Sequence, residues 1–128
     1  MSTSHISSGN LYAGLPSTPQ DAEVTESSAL PGAPVRCARI ISTGQSTEWM
    51  TQDDTEWCMV TAGTAALRIQ DEPADRALKP GDWVVIPAGV THRVVSTSTT
   101  EPTVWLVLHW DVVQPSTSAP AVGGSTAE

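Results

Sequence analysis

The residues of this chain that could do chemistry are few, and three of them sit where a polar side chain needs a reason. Glu56 stands directly before the apolar run Trp57-Cys58-Met59-Val60. An interior glutamate is costly unless it binds a metal, pairs with a cation or carries a proton as a general acid. The bland alternative is a carboxylate satisfied by backbone N-H groups or by Arg93. His92 closes the stretch Gly81-x5-Pro87-x-Gly89-x2-His92, and a neutral imidazole held inside a protein is a metal ligand, a general base or a satisfied core residue. His109 lies late in Val104-Trp105-Leu106-Val107-Leu108-His109-Trp110, either facing a cavity as ligand or acid-base group or bonded to backbone in the core. Of the acids Glu48, Asp53 and Asp54 around Glu56, Glu48 and Asp54 read as part of a solvated loop.

These side chains must be positioned by strands. Val, Ile, Thr and Trp dominate short runs at Val35 to Ser42, Thr55 to Ala62, Thr64 to Gln70, Asp82 to Pro87, Thr91 to Thr97 and Thr103 to Val113, with no sustained helical period. Gly63, the loop Asp71 to Asp75 and Pro80-Gly81 separate them as turns. With no helix to cover a sheet, such strands bury their apolar faces on one another, so the expectation is all-β, a closed sandwich or jelly roll. In the Gly81 to His92 stretch, Val84 and Ile86 share a face at period two, Pro87 ends the pairing, and Gly89 reverses the chain so that His92 can reach the same interior. If Glu56 points inward, Cys58 and Val60 follow it while Trp57 points out; Val84 inward likewise puts Trp83 out. Outward tryptophans on a β surface are commonly covered by a partner, which predicts a homodimer.

At 128 residues the chain holds one domain. Residues 1–33 read as a flexible N-terminal arm, 34–113 as the barrel and 114–128 as a disordered tail, because the ends are too rich in Ser, Thr, Pro and Ala to offset their ordering entropy. Within the arm, Asn10-Leu11-Tyr12-Ala13-Gly14-Leu15-Pro16 is apolar enough to dock on the domain or on a second subunit. A net charge of -8 with only six Lys plus Arg offers no basic stripe for nucleic acid, and an acidic surface disfavours anionic membranes. The start lacks a secretory pattern, and Cys37 and Cys58 lack metal-type spacing, which together predict a cytoplasmic protein with free thiols.

The Gly81, Pro87, Gly89 and His92 spacing resembles the second motif of the cupin superfamily at all four fixed positions. The first cupin motif, two histidines one residue apart, then three or four residues, a glutamate, six residues and a glycine, is matched in its second half by Glu56 and Gly63. Its histidine positions fall on Met50 and Gln52 with a three-residue spacer, or on Trp49 and Thr51 with four. The resemblance spans about Val35 to Trp110 and implies a cupin jelly-roll barrel (a double-stranded β-helix), frequent homodimers and, in complete members, a divalent metal held by three histidines and a glutamate. A metal here would rest on Gln52, Glu56, His92 and His109, a mixed N/O set suited to Fe(II), Mn(II), Zn(II) or Ni(II). Three readings follow: a metal-dependent isomerase, lyase or dioxygenase acting on a small polar molecule with Glu56, His92 and His109 as catalytic groups; a metal-free enzyme using Glu56 and His92; and a non-catalytic small-molecule binder.

Overall fold

The computed structural model describes residues 6–30 and 32–111. Eight strands run in chain order as β1 (Val24–Ala29), β2 (Val35–Ser42), β3 (Asp54–Ala62), β4 (Ala65–Ile69), β5 (Arg76–Leu78), β6 (Trp83–Ile86), β7 (His92–Thr97) and β8 (Thr103–Asp111). They form two antiparallel sheets, of order β1-β2-β8-β3-β6 and β5-β4-β7. The described residues form no helix, so none is long and apolar enough to cross a membrane. The all-β expectation therefore holds. The core lies between the sheets, where Cys58, Val60, Val84, Ile86, Trp105 and Val107 meet Leu67 of the smaller sheet.

Strand alternation sets what faces this core. On β3, Cys58 and Val60 are buried; on β6, Val84 and Ile86 are buried while Trp83 and Val85 are exposed. Trp57 and Trp83 stack on the outer face with ring centroids 6.3 Å apart. Trp105 turns inward and donates its indole N-H to Ser42 Oγ at 3.1 Å. Gly63 adopts φ 78° between β3 and β4, and a Cβ there would stand 2.6 Å from the Thr103 Cα. Only glycine fits that approach.

The N-terminal segment differs from the expected flexible arm. Val24–Ala29 pairs along β2 from Val24 opposite Ile41 to Ala29 opposite Arg36. Its sequence, VTESSA, carries no buried side chain, so the pairing rests on backbone hydrogen bonds that an apolar pattern cannot reveal. The Asn10 to Pro16 segment docks on the same domain: Arg39 donates to the carbonyls of Leu11 at 3.0 Å and Ala13 at 2.6 Å, and the Tyr12 hydroxyl donates to Thr61 O at 3.2 Å. The expected tail, 114–128, and the last two residues of the final expected strand lie outside the described residues.

Candidate functional site

The functional side chains converge because three strands present one polar rung at the end of an apolar sheet. Glu56 on β3 lies opposite Ile86 of β6 on one side and opposite His109 of β8 on the other. The next inward rung is Val84, Cys58 and Val107, which is wholly apolar apart from the thiol. His92 arrives from β7 of the facing sheet. Its backbone exchanges two hydrogen bonds with Met50, at 2.8 and 2.9 Å, so the connection before β3 is fastened beside it. The turn at Gly89 ties in the same connection, donating its N-H to Gln52 O at 2.8 Å.

Between the sheets these residues enclose a cavity of about 110 Å³, lined by Met50, Gln52, Glu56, His92 and His109 at its polar end and by apolar side chains with Trp105 below. His92 is 2 % exposed. Its Nδ1 lies 2.9 Å from the Val90 carbonyl, which can only accept, so Nδ1 carries the hydrogen and Nε2 is the free ring nitrogen. That Nε2 has no hydrogen-bond partner and faces Glu56 Oε1 at 4.0 Å. Cys58, beneath Glu56, has its thiol pushed up to about 12 by burial and by the adjacent Glu56 carboxylate, so it stays protonated and is no nucleophile.

His109 also lines the cavity, and its Nδ1 lies 3.4 Å from Asp54 Oδ2. Asp54 is no solvated loop residue. It opens β3 two positions before Glu56, its side chain is 13 % exposed, and it pairs with Arg36 as well. The period-two relation to Glu56 was the available signal. Met50 and Gln52 line the cavity, whereas Thr51 bonds Thr91 at 2.6 Å and exposed Trp49 lies 5.7 Å from the Arg93 guanidinium. The three-residue spacer is thus the one the fold uses. Glu23, just before β1, reaches the cavity rim, where partial desolvation holds its carboxyl above the usual range. Nothing in the sequence around Glu23 marks it.

With this geometry in place, comparison with known proteins becomes informative. The family model described as cupin domain matches residues 39–109. The chain belongs to the cupin family. A Ralstonia eutropha protein named as a candidate mannose-6-phosphate isomerase is 36 % identical to this cupin, with a TM-score of 0.78 over 84 % of this chain and 100 % of its own. A cupin superfamily protein from Desulfitobacterium hafniense shares the fold at 15 % identity and TM-score 0.66, covering 84 % of this chain and 94 % of its own. A DMSP lyase from Ruegeria pomeroyi shares it at 23 % identity and TM-score 0.54, over 65 % of this cupin and 41 % of the lyase. No curated protein matches the sequence. The two-sheet sandwich is accordingly the cupin jelly roll.

Cupins commonly bind a metal, so the donor set was tested for one. Among the described residues no three His, Cys, Asp or Glu side chains converge as a metal group. Glu56 and His92 are the two strong donors, and Gln52 adds only a neutral amide. Ligands at about 2.1 Å lie roughly 3.0–3.5 Å apart as tetrahedral or cis octahedral pairs and roughly 4.2 Å apart as a trans octahedral pair. The 4.0 Å between Nε2 and Oε1 is too wide for the first two and close to the third. His109 turns its Nδ1 to Asp54, which leaves Nε2 as its second ring nitrogen. Two strong donors, a neutral amide and no third converging acid or imidazole among the described residues make a weak metal set, whereas the pair fits proton transfer between an oriented imidazole and a carboxylate.

Proposed function

We propose that this cupin binds a compact polar organic molecule inside its barrel and moves a proton on it without a resident metal. The observation that carries this reading is the oriented His92: Nδ1-H held by Val90, Nε2 free and unpartnered, Glu56 4.0 Å away. Nε2 takes a proton from a C-H or O-H of the ligand, whose bonding electrons remain on the ligand. The imidazolium so formed is stabilised by the Glu56 carboxylate across a poorly hydrated gap. The imidazolium exchanges its proton with solvent and delivers one to a neighbouring atom of the ligand, leaving His92 neutral and the ligand isomerised. Gln52 and His109 line the same space and hold its polar groups. The isomerase name of the 36 % identical Ralstonia eutropha protein supports this reaction class.

The test is solvent deuterium uptake. A panel of small hydroxycarbonyl compounds and amines is incubated in D2O and followed by NMR with the native protein and with Glu56→Gln and His92→Ala. Exchange that both variants abolish supports the proposal. Exchange by none of the panel, with small-molecule binding retained, would make the protein a binder instead. The metal-bound reading through Gln52, Glu56, His92 and His109 predicts a rise in melting temperature with Fe(II), Mn(II), Zn(II) or Ni(II), by mass action; such a rise would overturn the metal-free mechanism.

The outward Trp57 and Trp83, with exposed Val85 beside them, pack against a second copy of the chain, giving a homodimer. Sedimentation should show a dimer that Trp83→Lys converts to monomer. Free Cys37 and Cys58 support a reducing, cytoplasmic location.

A further inference from the structure

Two strong acceptors, Glu56 and the Nε2 of His92, face one another across the polar end of the cavity, and this bears on the charge of what enters. With its hydrogen committed to Val90, His92 offers a lone pair; Glu56 offers carboxylate oxygens, with the Cys58 thiol as a weak donor beside it; the two stand 4.0 Å apart. Two acceptors aimed at one space leave each other unsatisfied unless a donor bridges them. A single nitrogen placed about 2.9 Å from each, a normal hydrogen-bond length, spans that separation without moving either. At the rim Glu23 adds a second carboxylate.

No cation of the protein answers these groups. The chain has six Lys plus Arg. Arg36 is held by Asp54, Arg39 by Glu26, Arg68 by Asp75, Arg76 by Glu72 and Lys79 by Asp82, while Arg93 stands over Trp49. None lines the cavity. A phosphate or carboxylate ligand would therefore meet two carboxylates and no counter-charge, and the phosphosugar in the name of the Ralstonia eutropha protein is excluded on those grounds. Size narrows the ligand further. An apolar cavity of about 150 Å³ holds benzene, so about 110 Å³ admits roughly four or five non-hydrogen atoms. Below the acceptors the lining is apolar and includes Trp105, a surface on which alkylated cations pack well.

We infer that the barrel site of this cupin takes a small alkylammonium group, its N-H donors bridging Glu56 and His92 and its alkyl body lying against Trp105, and that it rejects anions. The inference rests on the barrel site proposed above and names the charge class of its ligand. Glu23 acts at the rim as a selectivity residue, drawing the cation in without touching the proton being moved.

The experiment compares three probes of one shape, isopropylammonium, isopropanol and isobutyrate, by calorimetric titration of the full-length protein at low and moderate salt. The ammonium should bind about tenfold more tightly than the alcohol, and isobutyrate should not bind. Glu56→Gln should remove the ammonium preference, and Glu23→Gln should weaken ammonium binding about threefold at low salt and less as salt rises. Equal binding of alcohol and ammonium, or binding of isobutyrate, would overturn the charge assignment while leaving deuterium uptake to decide proton transfer independently. No saturable binding of any probe would also overturn it. An ammonium preference that survives Glu56→Gln would place the cation elsewhere and overturn the assignment to this site.

Discussion

Met50 and His92 clasp each other through paired backbone hydrogen bonds, N to O at 2.8 Å and 2.9 Å, although neither belongs to the other's strand ladder. The clasp fixes the backbone from which the His92 ring projects, and the Val90 carbonyl fixes the ring about its own axis. Nitrogen NMR of the native protein should therefore show neutral His92 with hydrogen on Nδ1 and none on Nε2. The reverse tautomer would remove the base from the proposed mechanism.

If Nε2 moves the proton, its deletion acts on the chemistry rather than on the fold. His92→Ala should lower deuterium exchange by about 10²–10⁴-fold, and Glu56→Gln should lower it less, because it removes the stabilising charge but not the base. Rates from the D2O assay, set beside circular dichroism of each variant, separate lost chemistry from lost structure.

Glu23 makes stability depend on pH in a defined direction. Its folded-state pKa is raised above 4.5 by desolvation, so between 4.5 and that higher value the native state keeps a proton the unfolded chain has released. Stability falls as pH rises through this window and stays reduced above it. Glu23→Gln should melt higher than the native protein at pH 7, and the difference should vanish below pH 4.5. Melting curves across this range measure it.

The two thiols should behave differently. Cys58 is buried with its pKa near 12, whereas Cys37 is half-buried on β2. A chromogenic disulfide reagent at pH 8 should titrate no more than one thiol in the native protein, and the second only after denaturation. Rapid reaction of Cys58 in the native state would contradict its burial.

Two glycines of the motifs are needed for different reasons, and alanine distinguishes them. At Gly63 a Cβ would meet Thr103 backbone at 2.6 Å and Pro102 O at 2.7 Å, so Gly63→Ala should cost about 3 kcal/mol or more. At Gly89 φ is 84° but the space is open, so Gly89→Ala should cost only about 1–2 kcal/mol of left-handed strain. Urea unfolding of the two variants checks the order.

Much of this was legible beforehand because a half-buried strand writes its alternation into the chain. Val35–Ser42 was bounded correctly, and inward Glu56, Cys58 and Val60 against outward Trp57 followed from period two. Elements whose stability comes from backbone pairing were not legible: β1 buries no side chain, and β5 has three residues. At the site, the choice between two spacers was open in sequence and is made by the Met50 to His92 bridge, a contact between segments 42 positions apart. Glu23 could not have been found, since only the unforeseen β1 carries it to the rim.

The unpartnered Nε2 of His92 also says something about what this sequence has been selected for. A core built for durability alone would place leucine at position 56 and phenylalanine at 92, closing the space with side chains that ask nothing of their neighbours. The native chain keeps a buried imidazole and a carboxylate that do not satisfy each other. A buried nitrogen left without a partner inside a cavity is a sign that the barrel is meant to be entered.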